Sequence, residues 1–118
     1  MAEEYSAHEC ARRSVGLILV RAAPGAAAGT LALEEARRQT ARPGAVTVFL
    51  HGPGVDWACS DRASAWAGLA PRDDLELLVC QAAWQRRHGQ RPPQVFTVSS
   101  LVQFWHRAVH ARDLVVCG

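Results

Sequence analysis

Apolar residues along this chain fall in short blocks separated by glycine, proline and charge. Val15-Gly-Leu-Ile-Leu-Val20 is a continuous apolar run, the pattern of a strand buried on both faces. Pro24, Gly25 and Gly29 interrupt it. A helix is then predicted from a Thr30 cap through about Arg38, with Glu34 placed to pair with Arg38 one turn on. After the Pro43-Gly44 turn, Val46 to Leu50 reads as a second strand, ended by His51-Gly-Pro-Gly54. The stretch from Asp56 to Leu69 holds one or two short helical pieces. Leu75 to Val79 is a third strand that runs directly into Cys80, and Gln81 to His88 is a helix with Gly89 at its left-handed cap. Val95 to Val98 is a weaker fourth strand. Ser99 or Ser100 caps a helix whose apolar stripe is Leu101, Phe104, Trp105, Ala108 and Val109, and Asp113 to Cys117 is a fifth strand.

Strand and helix alternate, which predicts right-handed crossovers and a parallel sheet covered on both faces. The expected fold is α/β: a single-domain open parallel sheet of about five strands with helices on both faces, in a flavodoxin-like layout. Residues 1–14 form a polar N-terminal arm ahead of a domain spanning 15–118.

Composition narrows the function classes. A length of 118 residues suits one domain, and 49% apolar content suffices for a core. The net charge of +2 is too small to argue for a nucleic-acid or membrane surface. All thirteen basic residues are arginine, which with the abundant alanine suggests a high-GC bacterial coding bias. Lacking lysine, the chain excludes Schiff-base chemistry and the lysine-bearing phosphate loop. The Pro24 to Thr30 segment likewise fits no dinucleotide fingerprint.

Residues 1–14 carry Glu3, Glu4, Arg12 and Arg13 and do not read as a secretory signal. Val15 to Leu33 is broken by Arg21 and Pro24 and does not read as a membrane span. A cytoplasmic protein with reduced thiols is expected. Cys10, Cys59, Cys80 and Cys117 lack metal-site spacing, so neither metal nor cofactor is expected.

In an open parallel sheet, sites form outside the carboxyl ends of the strands. Of the residues expected there, Cys80 alone combines a nucleophilic atom with a strand-to-helix junction. The free amides and dipole of a helix N-terminus favour a thiolate. The competing reading is one more small buried residue, since free cysteine is among the most buried types. His51 ends the second strand and would approach Cys80 if the two strands are neighbours. The surrounding Gly-Pro-Gly favours a solvent-exposed turn instead. Trp84, one turn beyond Cys80, is a candidate pocket wall, or else core or interface. Arg86, Arg87 and His88 suit the C-terminus of their own helix.

Over Val15 to Gly118 the chain resembles the DsrE/TusD family of intracellular sulfur-relay proteins. The resemblance is carried by Pro24-Gly25 and Gly29-Thr30 after the first strand. It continues with Val46-Thr-Val-Phe-Leu-His51 and Gly54-Val55, then Leu77-Leu-Val-Cys80-Gln-Ala-Ala83 with Arg86-Arg87. Phe96-Thr-Val-Ser-Ser-Leu101 and Asp113-Leu-Val-Val116 complete it. The resemblance implies that Cys80 carries a persulfide, taking sulfane sulfur from a donor protein and passing it to a carrier. It implies a trimer or hexamer, homomeric or heteromeric, with DsrE-, DsrF- or DsrH-like subunits. TusA-like and DsrC/TusE-like proteins would be the donor and acceptor, in sulfur oxidation or transfer-RNA thiolation, without direct nucleic-acid contact. Cys59 follows Gly54-Val55 as an additional thiol, giving a minor expectation of an internal disulfide or of sulfur passing between cysteines. Sulfurtransferase activity is the leading expectation. A non-catalytic scaffold of the same fold and a thiol redox sensor are the competitors. Four tryptophans, at 57, 66, 84 and 105, suggest buried interfaces.

Overall fold

The computed structural model describes residues 15–59, 61–69, 74–89, 91–93 and 95–118; the polar arm, residues 1–14, lies outside them. Five strands, β1 (Val15–Val20), β2 (Ala45–Leu50), β3 (Leu75–Cys80), β4 (Thr97–Ser99) and β5 (Asp113–Cys117), form one parallel sheet. Their spatial order is β4-β3-β2-β1-β5. Helix α1 (Ala27–Thr40) links β1 to β2. A 3-10 helix (Gly52–Ala58) and α2 (Ala63–Ala67) link β2 to β3; α3 (Gln81–Arg87) and α4 (Leu101–Ala108) follow β3 and β4. The chain steps one way from β1 to β4, then returns past β1 to β5. Right-handed crossovers therefore put α1, the 3-10 helix, α2 and α3 on one face and α4 on the other. The expected α/β fold is what the chain adopts.

The central strands are apolar on both sides because both faces are covered. Leu17, Ile18, Val48, Phe49, Leu50 and Val79 are all buried. On the α4 side, Phe49 and Phe104 meet with ring centroids 4.9 Å apart. On the other side, Trp57 and Trp66 meet edge to face at 5.7 Å, and the Trp57 indole donates to the carbonyl of Ala22 at 3.0 Å. Gly54 lets the 3-10 helix seat against β1, since a Cβ there would lie 2.1 Å from the Val20 carbonyl oxygen.

Several local expectations need correction. Helix α1 starts at Ala27, ahead of Thr30, because Gly25 (φ 93°) makes the turn and the alanines that follow are strong helix formers. Arg38 pairs with Glu35, three residues back, and Gln39 donates to the same carboxylate at 2.8 Å. Strand β4 begins at Thr97, since the Phe96 amide is turned back onto the Pro93 carbonyl at 2.9 Å. Of the two candidate caps, Ser100 serves α4, accepting from the Gln103 amide at 3.1 Å in a capping box. Gly89 (φ 72°) closes α3 in the left-handed conformation expected.

The apolar stripe of α4 divides in two. Leu101, Phe104 and Ala108 turn inward, whereas Trp105 is 48% exposed and Val109 is 79% exposed, with Val102 bare beside them. Strand β5 adds to this surface. The register Leu19↔Phe49 and Leu19↔Val116 places Val116, and with it Leu114, on the α4 side of the sheet, where both are exposed. Trp57, Trp66 and Trp84 belong to the core, and of the four tryptophans only Trp105 is exposed.

Candidate functional site

The pairing of β2 with β3 decides which residues meet. Leu50 is opposite Val79, so the next step brings His51 and Cys80 side by side at the carboxyl ends of adjacent strands. Both project to the α4 side, two residues beyond Phe49 and Leu78. They line one pocket of about 460 Å³ with Gln81, Gln85, Arg86, Ser100 and Leu101. Cys80 is 5% exposed and lines this pocket. The backbone of Cys80 is extended (φ −64°, ψ 121°) and serves as the N-cap of α3.

His51 is not the solvent-exposed turn residue that Gly52-Pro53-Gly54 suggested. Its amide donates to the Val20 carbonyl at 2.9 Å, and its ring stacks near Phe49 at 6.3 Å. Its Nδ1 is buried with no hydrogen-bond partner among the described residues. Burial foremost, and then the charges of Arg21 and Arg86, lower its pKa, so the ring is neutral at pH 7 and able to accept a proton. The Gly-Pro-Gly sequence does not end in a surface loop because it is wound into the 3-10 helix packed on β1.

Cys59 and Trp84 lie elsewhere. They border a second cleft, of about 320 Å³, with Ala58, His88, Arg91, Pro92 and Pro93, against α3 on the opposite face of the sheet from Cys80. Trp84 packs against His88, with ring centroids 4.3 Å apart and the planes tilted by 35°. The sheet thus separates the two thiols. Cys117 is buried beneath α1, where burial raises its pKa. Cys10 lies outside the described residues.

Arg87 and His88 do more than serve their helix end. Arg87 grips the Asp56 carboxylate with two hydrogen bonds, at 3.0 and 2.7 Å, and His88 Nε2 approaches the same carboxylate at 2.8 Å. The Arg87 hydrogen bond above all lowers the Asp56 pKa, against the opposing effect of burial. Sequence reading missed this group. The local signal was Asp56 three residues before Cys59, but its partners on α3 are about thirty residues away.

A groove of about 570 Å³ lies at the amino ends of β1 to β3, lined in part by Glu76, His106, Arg107 and His110. It holds no thiol, and parallel sheets place chemistry at the other end. The Cys80 pocket is the candidate site.

No known family profile matches this chain, and no curated protein matches it significantly. Its fold has a solved counterpart. The chain is similar to the ychN protein from E. coli, with a TM-score of 0.58 and 8% identity over 88% of this chain and 98% of that one. At that identity the likeness is one of fold. Among the described residues no helix is long and apolar enough to cross a membrane.

Proposed function

We propose that this protein is a sulfur-relay subunit of the DsrE/TusD type, in which Cys80 carries sulfane sulfur as a persulfide. The supporting observation is that Cys80 and a neutral His51 line the same pocket at the carboxyl ends of β2 and β3. His51 accepts the Cys80 proton as the thiolate attacks the outer sulfur of a persulfidated donor protein. A sulfur–sulfur bond forms to Cys80, the donor's sulfur–sulfur bond breaks, and the donor leaves as a thiolate. The reverse exchange with an acceptor thiol completes the transfer without net oxidation. Arg86, exposed at the pocket rim, offers positive charge to the anionic sulfur species on either side of the exchange.

The same reading assigns the bare apolar surface of Val102, Trp105, Val109, Leu114 and Val116 to subunit contacts in a homo- or hetero-oligomer. Scattered exposed apolar residues are ordinary, but five on one side of one sheet are the mark of a covered face. The cytoplasm, with its reduced thiols, is the compartment this chemistry suits.

The test is intact-protein mass spectrometry of the reduced chain after exposure to a persulfidated donor protein, alongside Cys80→Ser. A gain of one sulfur, reversed by reductant and missing in the variant, is expected. A folded, reduced chain that gains nothing, or a Cys80→Ser variant that gains as much, overturns the assignment. Mild oxidant yielding a disulfide in place of a stable persulfide would favour the redox-sensor alternative.

A further inference from the structure

The second thiol sits in a different chemical setting. Asp56 and Cys59 come from the 3-10 helix and its C-terminal boundary, and His88 from the end of α3 packed against it. Cys59 Sγ lies 3.5 Å from His88 Nε2 and 3.8 Å from Nδ1, and His88 Nε2 lies 2.8 Å from Asp56 Oδ1. Ligand-capable atoms of all three fall within 4.8 Å of one another. A nucleophilic triad places sulfur on one ring nitrogen and carboxylate on the other. Here the shortest sulfur and carboxylate approaches both run to Nε2, so three donors converge on one point.

That convergence approaches the dimensions of a metal site. A tetrahedral zinc ion with ordinary bond lengths holds its sulfur and nitrogen ligands about 3.5 Å apart. The Cys59–His88 separation is 3.5 Å. Asp56 and His88 need to part by only about 0.5 Å to reach the corresponding nitrogen–oxygen spacing. The supports are already present. Trp84 packs against the imidazole with its ring tilted by 35°, and Arg87 orients the carboxylate through both oxygens. The adjoining cleft of about 320 Å³, walled by Trp84, Arg91 and Pro92, leaves the fourth position to water or a small ligand.

We infer that Asp56, Cys59 and His88 form a binding site for one divalent transition-metal ion, with zinc the best fit. A thiolate–imidazole–carboxylate set disfavours magnesium and calcium, which take oxygen ligands. Binding expels the Cys59 proton to solvent; His88 coordinates through Nε2 with its proton on Nδ1. Thiolate and carboxylate together neutralise the ion, and Arg87 keeps its own charge beside the carboxylate. The site lies across the sheet from Cys80 and stands independently of sulfur transfer.

Cobalt(II) serves as the spectroscopic probe, titrated into the reduced full chain, with zinc as competitor and native mass spectrometry for stoichiometry. One ion per chain is expected, with a thiolate-to-cobalt charge-transfer band that zinc abolishes. Cys59→Ser loses the band, His88→Gln loses stoichiometric binding, and Cys80→Ser retains both. Circular dichroism establishes that each variant is folded. Should Cys59→Ser fail to fold, His88→Gln decides. Absence of saturable binding by the folded wild-type chain overturns the site, as does binding that survives in the folded Cys59→Ser or His88→Gln variant, or a band that vanishes in folded Cys80→Ser.

Discussion

Two thiols flank one sheet, and their surroundings differ in kind. Cys80 is nearly enclosed, ends a core strand, and faces a neutral histidine across a pocket whose rim carries Arg86. Cys59 is half-buried beside the Asp56 carboxylate, and its pKa is raised, first by burial and then by the charges of Asp56 and Asp61. A neutral base and nearby positive charge serve transient thiolate chemistry. A thiol whose pKa is raised, first by burial, is a poor free nucleophile, whereas a thiol grouped with an imidazole and a carboxylate has the donor set of a metal site. The difference shows that the residue type alone does not say what a cysteine does. Its burial and the groups packed around it do.

The sharpest way to break the contrast is to exchange the two cysteines' roles by deletion. Cys59→Ser should retain the full gain of one sulfur that Cys80→Ser loses, read by intact mass. Because the sheet stands between them, mild oxidation of the wild-type chain should give no internal Cys59–Cys80 disulfide, read by peptide mapping. Detection of that bridge in the folded monomer would overturn the separation described here.

The core supporting the Cys59 side gives the next largest effect. Trp66→Ala removes a fully buried ring that meets Trp57 edge to face, and should cost about 3–5 kcal/mol in denaturant unfolding. A loss below about 1 kcal/mol would mean that this side of the sheet is loosely packed. On the Cys80 side, His51→Gln removes the proton acceptor and should slow sulfur uptake by about 10²-fold while the folded fraction is unchanged. Equal rates would leave His51 a packing residue only.

The smallest effect concerns Asp56. A carboxyl whose folded pKa lies below its unfolded value contributes stability in full above the unfolded value. That contribution is lost as pH falls through the folded value. The wild-type advantage over Asp56→Asn should therefore be present at neutral pH, shrink below about pH 4, and disappear in strong acid. With both partners partly exposed it should not exceed about 1 kcal/mol. An advantage that grew on acidification would contradict the pairing with Arg87.

The layout of the chain was legible because its signals are local. Val15–Val20, the strand leading into Cys80, the Gly89 cap and a serine cap on α4, at Ser99 or Ser100, each follow from patterns within a few residues. Some of the errors were local substitutions too, such as Glu35 for Glu34 or Thr97 for Val95, where neighbouring residues compete for one role. Cys80 was singled out because a strand-to-helix junction can be read from the sequence.

What the sequence determined by itself is therefore the order of strands and helices and the thiol at one of their junctions. Tertiary structure alone decided that His51 stands beside Cys80, because only the pairing of β2 with β3 fixes which strand ends are neighbours. It alone gathered Asp56, Cys59 and His88, because packing α3 on the 3-10 helix joins residues whose spacing carries no period. It alone showed that half of the α4 stripe faces outward, since an apolar period reveals a face but not what covers it. Local pattern is set by backbone geometry within a few residues, whereas which surfaces meet is set by crossovers that join strands far apart along the chain.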